Sequence, residues 1–155
     1  MGLPNSPRNL PFVNHVIVNL GRSALGILRT TDSSQSRGGE IRMLREEKVA
    51  LVEAYLNGLA EKDVSKVPFA VDVTFEGPRV PPLAGREAVV GFLTMILPAI
   101  KDVRIGQHLV DGDYVATTFD MSTSGGIDRV FDLICVADGE IKSIRSFYYP
   151  GPVQA

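Results

Sequence analysis

A chain of 155 residues, 45% hydrophobic and 22% charged, has the length and make-up of one globular domain and lacks the composition of a fibrous or disordered protein. At this size a core forms without metal or disulfide support, and the single cysteine, Cys135, with no Cys/His cluster at zinc-ligand spacing, provides neither. A formal net charge of −2, with no basic stripe and no platform of stacked aromatics, excludes a nucleic-acid surface.

The charge is unevenly spread. Residues 1–42 carry five arginines against Asp32 and Glu40, a balance of +3, whereas residues 43–155 carry 11 basic and 16 acidic residues, a balance of −5. The first part also holds Pro4, Pro7, Pro11 and a Ser/Gly-rich run from Asp32 to Gly39, which is loop or linker composition. Its apolar run, Phe12 to Leu28, is interrupted by Asn14, Asn19, Gly21, Arg22 and Ser23, too polar for a membrane span. We read residues 1–42 as an extension outside the folded domain: a disordered arm, a targeting peptide, or upstream sequence with Met43 as the natural start. The domain is expected over 43–155 and the extension is expected to be dispensable for its folding. The lone cysteine permits a reducing compartment, and a cytoplasmic location is expected.

From Met43 to Glu61 the apolar residues Leu44, Val49, Val52, Tyr55, Leu56 and Leu59 recur at three- and four-residue spacings, predicting an amphipathic helix. Asp63 is expected to cap a short second helical turn, limited by Pro68. A strand follows over Val71 to Glu76, and the segment from Gly77-Pro78 through Pro81-Pro82 reads as an extended loop. Gly85 to Leu97 predicts a second main helix with Val89, Phe92, Leu93, Ile96 and Leu97 as its apolar stripe. Four β-rich runs complete the chain: Val103 to Val110, Tyr114 to Thr123, Ile127 to Ala137 and Glu140 to Tyr149. Asp111-Gly112-Asp113, Ser124-Gly125-Gly126 and Asp138-Gly139 supply the positive-φ residues of tight hairpins between them. Helices grouped before a meander predict an α+β domain with the helices on one face of a curved antiparallel sheet.

Four stretches carry a family resemblance: Tyr55 to Asp63 (YLNGLAEKD), Pro68 to Phe75 (PFAVDVTF), Leu83 to Val89 (LAGREAV) and Asp138 to Arg145 (DGEIKSIR). In this order and at these gaps they resemble the nuclear transport factor two-like superfamily over residues 43 to 150, within it the SnoaL-like and ketosteroid isomerase-like branch. The resemblance implies a cone-shaped curved sheet with helices on its concave face, a deep pocket, and often a homodimer through the sheet. It implies no cofactor. Because the superfamily hosts isomerases, cyclases, dehydratases, epoxide hydrolases and noncatalytic domains, function rests on the site residues.

In ketosteroid isomerases an Asp base moves a proton next to a carbonyl while a Tyr and a protonated Asp hold the oxyanion, an enzyme known as a reference case of carboxyl pKa tuning. Tyr55 on the first helix matches the oxyanion tyrosine, and Asp132 in Val130-Phe131-Asp132-Leu133 matches the oxyanion acid. The base position does not match: Glu76-Gly77-Pro78 places Gly77 where the family has Asp. Taken alone, Tyr55 on an apolar helix face is an ordinary core residue. Asp132, flanked by Val130, Phe131, Leu133 and Ile134, is costly to bury unless protonated, hydrogen-bonded or paired, for which Arg145 on the next strand is a structural candidate. Glu76, adjacent to the inward Phe75, is expected to face solvent. Asp120 is a further candidate acid of undetermined direction.

An Asp-Arg-Asp epoxide hydrolase site finds only Asp120 acidic, with Thr118 and Ser146 at its other positions. A dehydratase histidine pair finds only His108 in the domain, and a lone strand histidine reads as structural. Cys135 reads as a small buried residue. The expectation is an apolar pocket lined by Tyr55, Phe75, Phe92, Ile96, Phe119, Asp132, Ile144 and Tyr148. It suits a hydrophobic carbonyl compound, with isomerase- or cyclase-type chemistry, or with binding alone as the rival.

Overall fold

The computed structural model describes residues 42–149, so every reading made above of residues 1–41 lies outside the described residues. Helix α1 spans Arg45–Glu61 and strand β1 Phe69–Gly77; β2 (Val80–Ala84) precedes α2 (Arg86–Ile96), and a 3-10 turn over Leu97–Ala99 leads into the meander. The meander comprises β3 (Ile100–Asp111), β4 (Tyr114–Thr123), β5 (Gly126–Ala137) and β6 (Glu140–Tyr149). The six strands form one curved, unclosed sheet in the order β2-β1-β6-β5-β4-β3.

The sheet is mixed, not purely antiparallel. β1 enters before the meander and pairs in parallel with β6, the last strand, while every other neighbouring pair is antiparallel. A second difference lies at Val80–Pro82, expected as loop and here the start of β2. Pro81 and Pro82 lack backbone donors, and strands with proline survive at sheet edges where no second ladder is needed; β2 is such an edge strand, pairing through Phe75↔Leu83 and Thr74↔Ala84. A third concerns Asp63. Lys62 ends α1 in the left-handed conformation (φ 63°), and the Asp63 carboxylate accepts the Ser65 N–H at 2.9 Å, giving a turn where a short helix was expected.

The remaining elements follow from local chemistry. Glu47 reaches back to the Leu44 N–H at 2.7 Å and closes the first turn of α1. Gly112 (φ 57°), Gly126 (φ 126°), and Asp138 with Gly139 (φ 55° and 73°) turn the hairpins. Val52, Tyr55, Leu56 and Leu59 of α1 and Val89, Leu93 and Leu97 from the second helical segment meet Val115, Phe119, Val130, Ile134 and Ile144 of the sheet in one core. Leu44 stays exposed, and Lys48 is instead the buried member of its helix face. Its ammonium binds the Gly112 carbonyl at 2.6 Å and the Asp113 carboxylate at 2.7 Å, tying α1 to the β3–β4 hairpin. Among the described residues no helix is long and apolar enough to cross a membrane.

Candidate functional site

The side chains of directly opposed residues in antiparallel strands share one face of a sheet. Register therefore sets His108 of β3 beside Thr117 of β4, Thr117 beside Asp132 of β5, and Asp132 beside Ser146 of β6. This polar row crosses four strands on the inner face. The next row toward the strand ends is Ile105, Phe119, Val130 and Tyr148, and on the other side lie Val115, Ile134, Ile144 and Phe75. Polar side chains are thus sandwiched between two apolar layers, beneath Tyr55 of α1.

His108 belongs to this row because β3 is irregular. Between Ile105↔Phe119 and His108↔Thr117 the strand β3 advances three residues while β4 advances two. The extra residue is accommodated at Gly106 and Gln107, both exposed, where the Thr118 hydroxyl accepts the Gln107 N–H at 3.1 Å. A side chain at Gly106 would bring its Cβ within 2.7 Å of the Thr118 hydroxyl and 2.9 Å of the Thr118 carbonyl oxygen. Such a bulge re-aims the residues after it.

Burial sets the electrostatics. Asp132 and Thr117 are fully buried and Ser146 nearly so. Desolvation pushes the Asp132 carboxyl up to about 7, against the smaller, opposing influence of the Ser146 and Tyr55 hydroxyls beside it. Burial, and then the adjacent Asp132 carboxyl, raise the Tyr55 hydroxyl well above its ordinary value, which keeps it a neutral donor. Tyr148 is raised for the same first reason. The neighbouring hydroxyls do not reach Asp132 with good hydrogen-bond geometry. Among the described residues, the buried side-chain polar atoms left without a partner are both nitrogens of His108, the Thr117 hydroxyl and both Asp132 oxygens, all in the one row. Glu53 of α1 approaches His108 Nε2 at 3.5 Å.

The expected site residues divide. Tyr55 and Asp132 come together. Phe119 and Tyr148 lie in the adjoining row, with the Arg79 guanidinium 5.8 Å over the Tyr148 ring. Phe75 and Ile144 are opposed core residues, and Phe75 packs on Phe92 with ring centroids 5.1 Å apart, while Phe92 and Ile96 are half-buried. Asp120 is displaced from the site: it neighbours the inward Phe119 and therefore points to the outer face, opposite Arg129, 3.8 Å from its guanidinium. Arg145 does not neutralise Asp132. It opposes Leu133 on the outer face and lies 3.4 Å from the carboxylate of Glu76, which faces out as expected. Cys135 is only partly buried, on that same outer face opposite Tyr114 and Ser143, and burial raises its thiol. Gly77 is not in the left-handed region; a Cβ there would sit 3.0 Å from the Phe75 ring, on the rim of the inner face.

Two depressions on the described surface lie away from the row. One of about 1250 Å³ runs along the start of α2 and includes Phe69, Val71, Val90 and Phe92. Another, of about 560 Å³, crosses β3 to β6, where Asp120, Arg129 and Phe131 meet Phe119 and Tyr148.

Two helices on a six-strand curved, unclosed mixed sheet are the arrangement of the nuclear transport factor two-like cone. Residues 52–144 match the SnoaL-like domain family, more than half of the chain, and the chain belongs to that family. Among solved structures it is similar to a steroid Δ-isomerase from Pseudomonas aeruginosa, at 23% identity and a TM-score of 0.60 over 71% of this chain and 85% of that one. It is similar to an NTF2-like protein of unknown function from Mesorhizobium loti, at 20% identity and a TM-score of 0.60 over 68% and 93% of the two chains. A de novo designed protein with a curved β-sheet matches at 25% identity and a TM-score of 0.63, over 70% and 89%. Comparison with curated proteins gives no match.

Proposed function

We propose that this domain binds a hydrophobic carbonyl compound against the inner face of its sheet, with Tyr55 and the protonated Asp132 donating to the carbonyl oxygen. The observation that carries the reading is Asp132: a fully buried carboxyl on a central strand, pushed up to about 7, beside the neutral Tyr55 hydroxyl. Two neutral donors in an apolar, desolvated setting stabilise negative charge developing on a carbonyl oxygen, which is the requirement of isomerase- and cyclase-type chemistry. The similarity to the steroid Δ-isomerase supports the fold of such a site.

A second reading, binding without turnover, is favoured by the rim. Gly77 brings no carboxylate, and Glu76 is turned outward onto Arg145. Both readings share the ligand class and a homodimer through the outer sheet face, where Leu109, Tyr114, Phe131, Phe147 and Tyr149 are exposed. They also share a cytoplasmic location. The test is titration of the protein with a small hydrophobic monoketone, alongside Tyr55→Phe and Asp132→Ala. Loss of about tenfold in affinity in each folded variant is expected, in line with one hydrogen bond from a buried donor. Undiminished binding in both would overturn the proposal.

A further inference from the structure

Buried polar groups in native proteins are nearly all paired, so unpaired atoms gathered in one place call for a cause. Among the described residues the five such side-chain atoms belong to His108, Thr117 and Asp132, directly opposed across β3, β4 and β5. Opposed side chains stand about 5 Å apart at Cβ, close enough to hydrogen-bond once a hydroxyl turns toward its neighbour. Thr117 is the middle member, and its hydroxyl can accept from one side while donating to the other. At the far end the Glu53 carboxylate, on the solvent side of α1, lies 3.5 Å from His108 Nε2. The row therefore runs from the enclosed acid to the surface.

The end groups set the polarity of such a chain. A carboxylate beside Nε2 calls for a proton there. The Thr117 hydroxyl then either donates to a bare Nδ1, which draws the Asp132 O–H toward the threonine, or accepts from a protonated Nδ1 and donates to Asp132. The second arrangement leaves the Asp132 O–H free for a ligand. Resting on the reading of Tyr55 and Asp132 given above, we propose that Glu53, His108 and Thr117 are positioning residues that aim the Asp132 proton at the ligand carbonyl. In the complex Nε2–H donates to Glu53, Nδ1–H donates to the Thr117 hydroxyl, and that hydroxyl donates to one Asp132 oxygen. The other Asp132 oxygen carries the proton given to the carbonyl. All five atoms are then paired, and an imidazolium held by Glu53 heads a line of donors ending where negative charge develops. Tyr55 and Ser146 present hydroxyls to Asp132 from α1 and β6, and Lys48 of α1 is engaged by Gly112 and Asp113. The bulge at Gly106 and Gln107 brings His108 into line.

The test joins titration with the small hydrophobic monoketone to nitrogen NMR of the His108 ring. In the ketone complex at pH 6 both ring nitrogens should carry protons, and a bare Nδ1 there would overturn the inference. Thr117→Val, which keeps the side-chain shape, should weaken ketone binding about fivefold, the worth of one hydrogen bond. Thr117→Ser should stay within about twofold of the parent. Glu53→Gln, a surface change, should leave Nδ1 bare in the complex and cost about the same fivefold. In an Asp132→Ala background Thr117→Val should change affinity by less than about twofold, because the threonine acts through the acid. No loss in Thr117→Val, or a loss that persists without Asp132, would overturn this inference and leave the proposed function standing. Ketone binding that does not depend on Asp132 would overturn both.

Discussion

The carboxyl of Asp132 is where burial and chemistry meet. Its pKa is about 7 in the folded domain against an ordinary 3.8, so the folded state holds a proton that the unfolded state releases between those values. Stability is therefore highest below about pH 4, falls as pH rises toward 7, and is level above it, with a total loss on the order of 4 kcal/mol. Asp132→Asn copies the neutral acid and cannot ionise. Between pH 5 and 8 the parent should lose about 2 to 3 kcal/mol more than Asp132→Asn in urea unfolding, whereas equal pH dependence would mean the carboxyl is already ionised at pH 5. Gly77 permits a complementary gain of function. Its backbone is free of the left-handed constraint, and the Phe75 ring at 3.0 Å needs to give by only a few tenths of an ångström for a side chain to enter. Gly77→Asp should raise exchange of the α-protons of a bound ketone by ~10² or more, the usual worth of a positioned base. A folded variant that binds the ketone without such a gain would show that Tyr55 and Asp132 do not act on the carbonyl oxygen.

Among the elements, β3 shows why sequence alone divides where it does. Val103 and Ile105 face inward, so plain alternation sends His108 outward; the bulge reverses this, and no residue type in Gly106-Gln107 announces a bulge rather than an ordinary glycine in a strand. Thr117 was equally illegible, and Ser146 was met only as a mismatch to an epoxide hydrolase position, because register between strands is a property of the sheet and not of either strand. Asp132 was legible: an acid inside Val130-Phe131-Asp132-Leu133-Ile134 has to be explained wherever the strand sits. Tyr55 was legible through the family resemblance, Asp120 only as an acid without a direction, and β2 was hidden by its prolines. Both helices and the four meander strands were readable because their periodicities and turn glycines agree. The bulge itself is testable. Gly106→Ala sets a Cβ against the Thr118 hydroxyl and backbone, and should cost about 1 to 3 kcal/mol and shift the His108 ring resonances. A neutral change with unmoved resonances would show that the bulge does not need glycine.

For the whole molecule, the two sheet faces have different duties. The inner face holds the core and the polar row; the outer face exposes Leu109, Tyr114, Phe131, Phe147 and Tyr149, with the Phe131 and Phe147 rings 6.0 Å apart. We propose that these exposed aromatics form an association surface; the expected outcome in sedimentation is a dimer that Phe147→Glu converts to monomer without loss of fold. A monomeric parent would remove that part of the account. The designed curved-sheet protein that matches this fold makes the larger point: a cone can be specified by packing alone, so the claim of function rests on what is set inside it. That claim comes down to the state of one proton. Carboxyl-carbon NMR titration of Asp132, assigned by loss of its signal in Asp132→Asn, measures it directly. The account predicts a midpoint near 7, and a midpoint at or below 3.8 would contradict it.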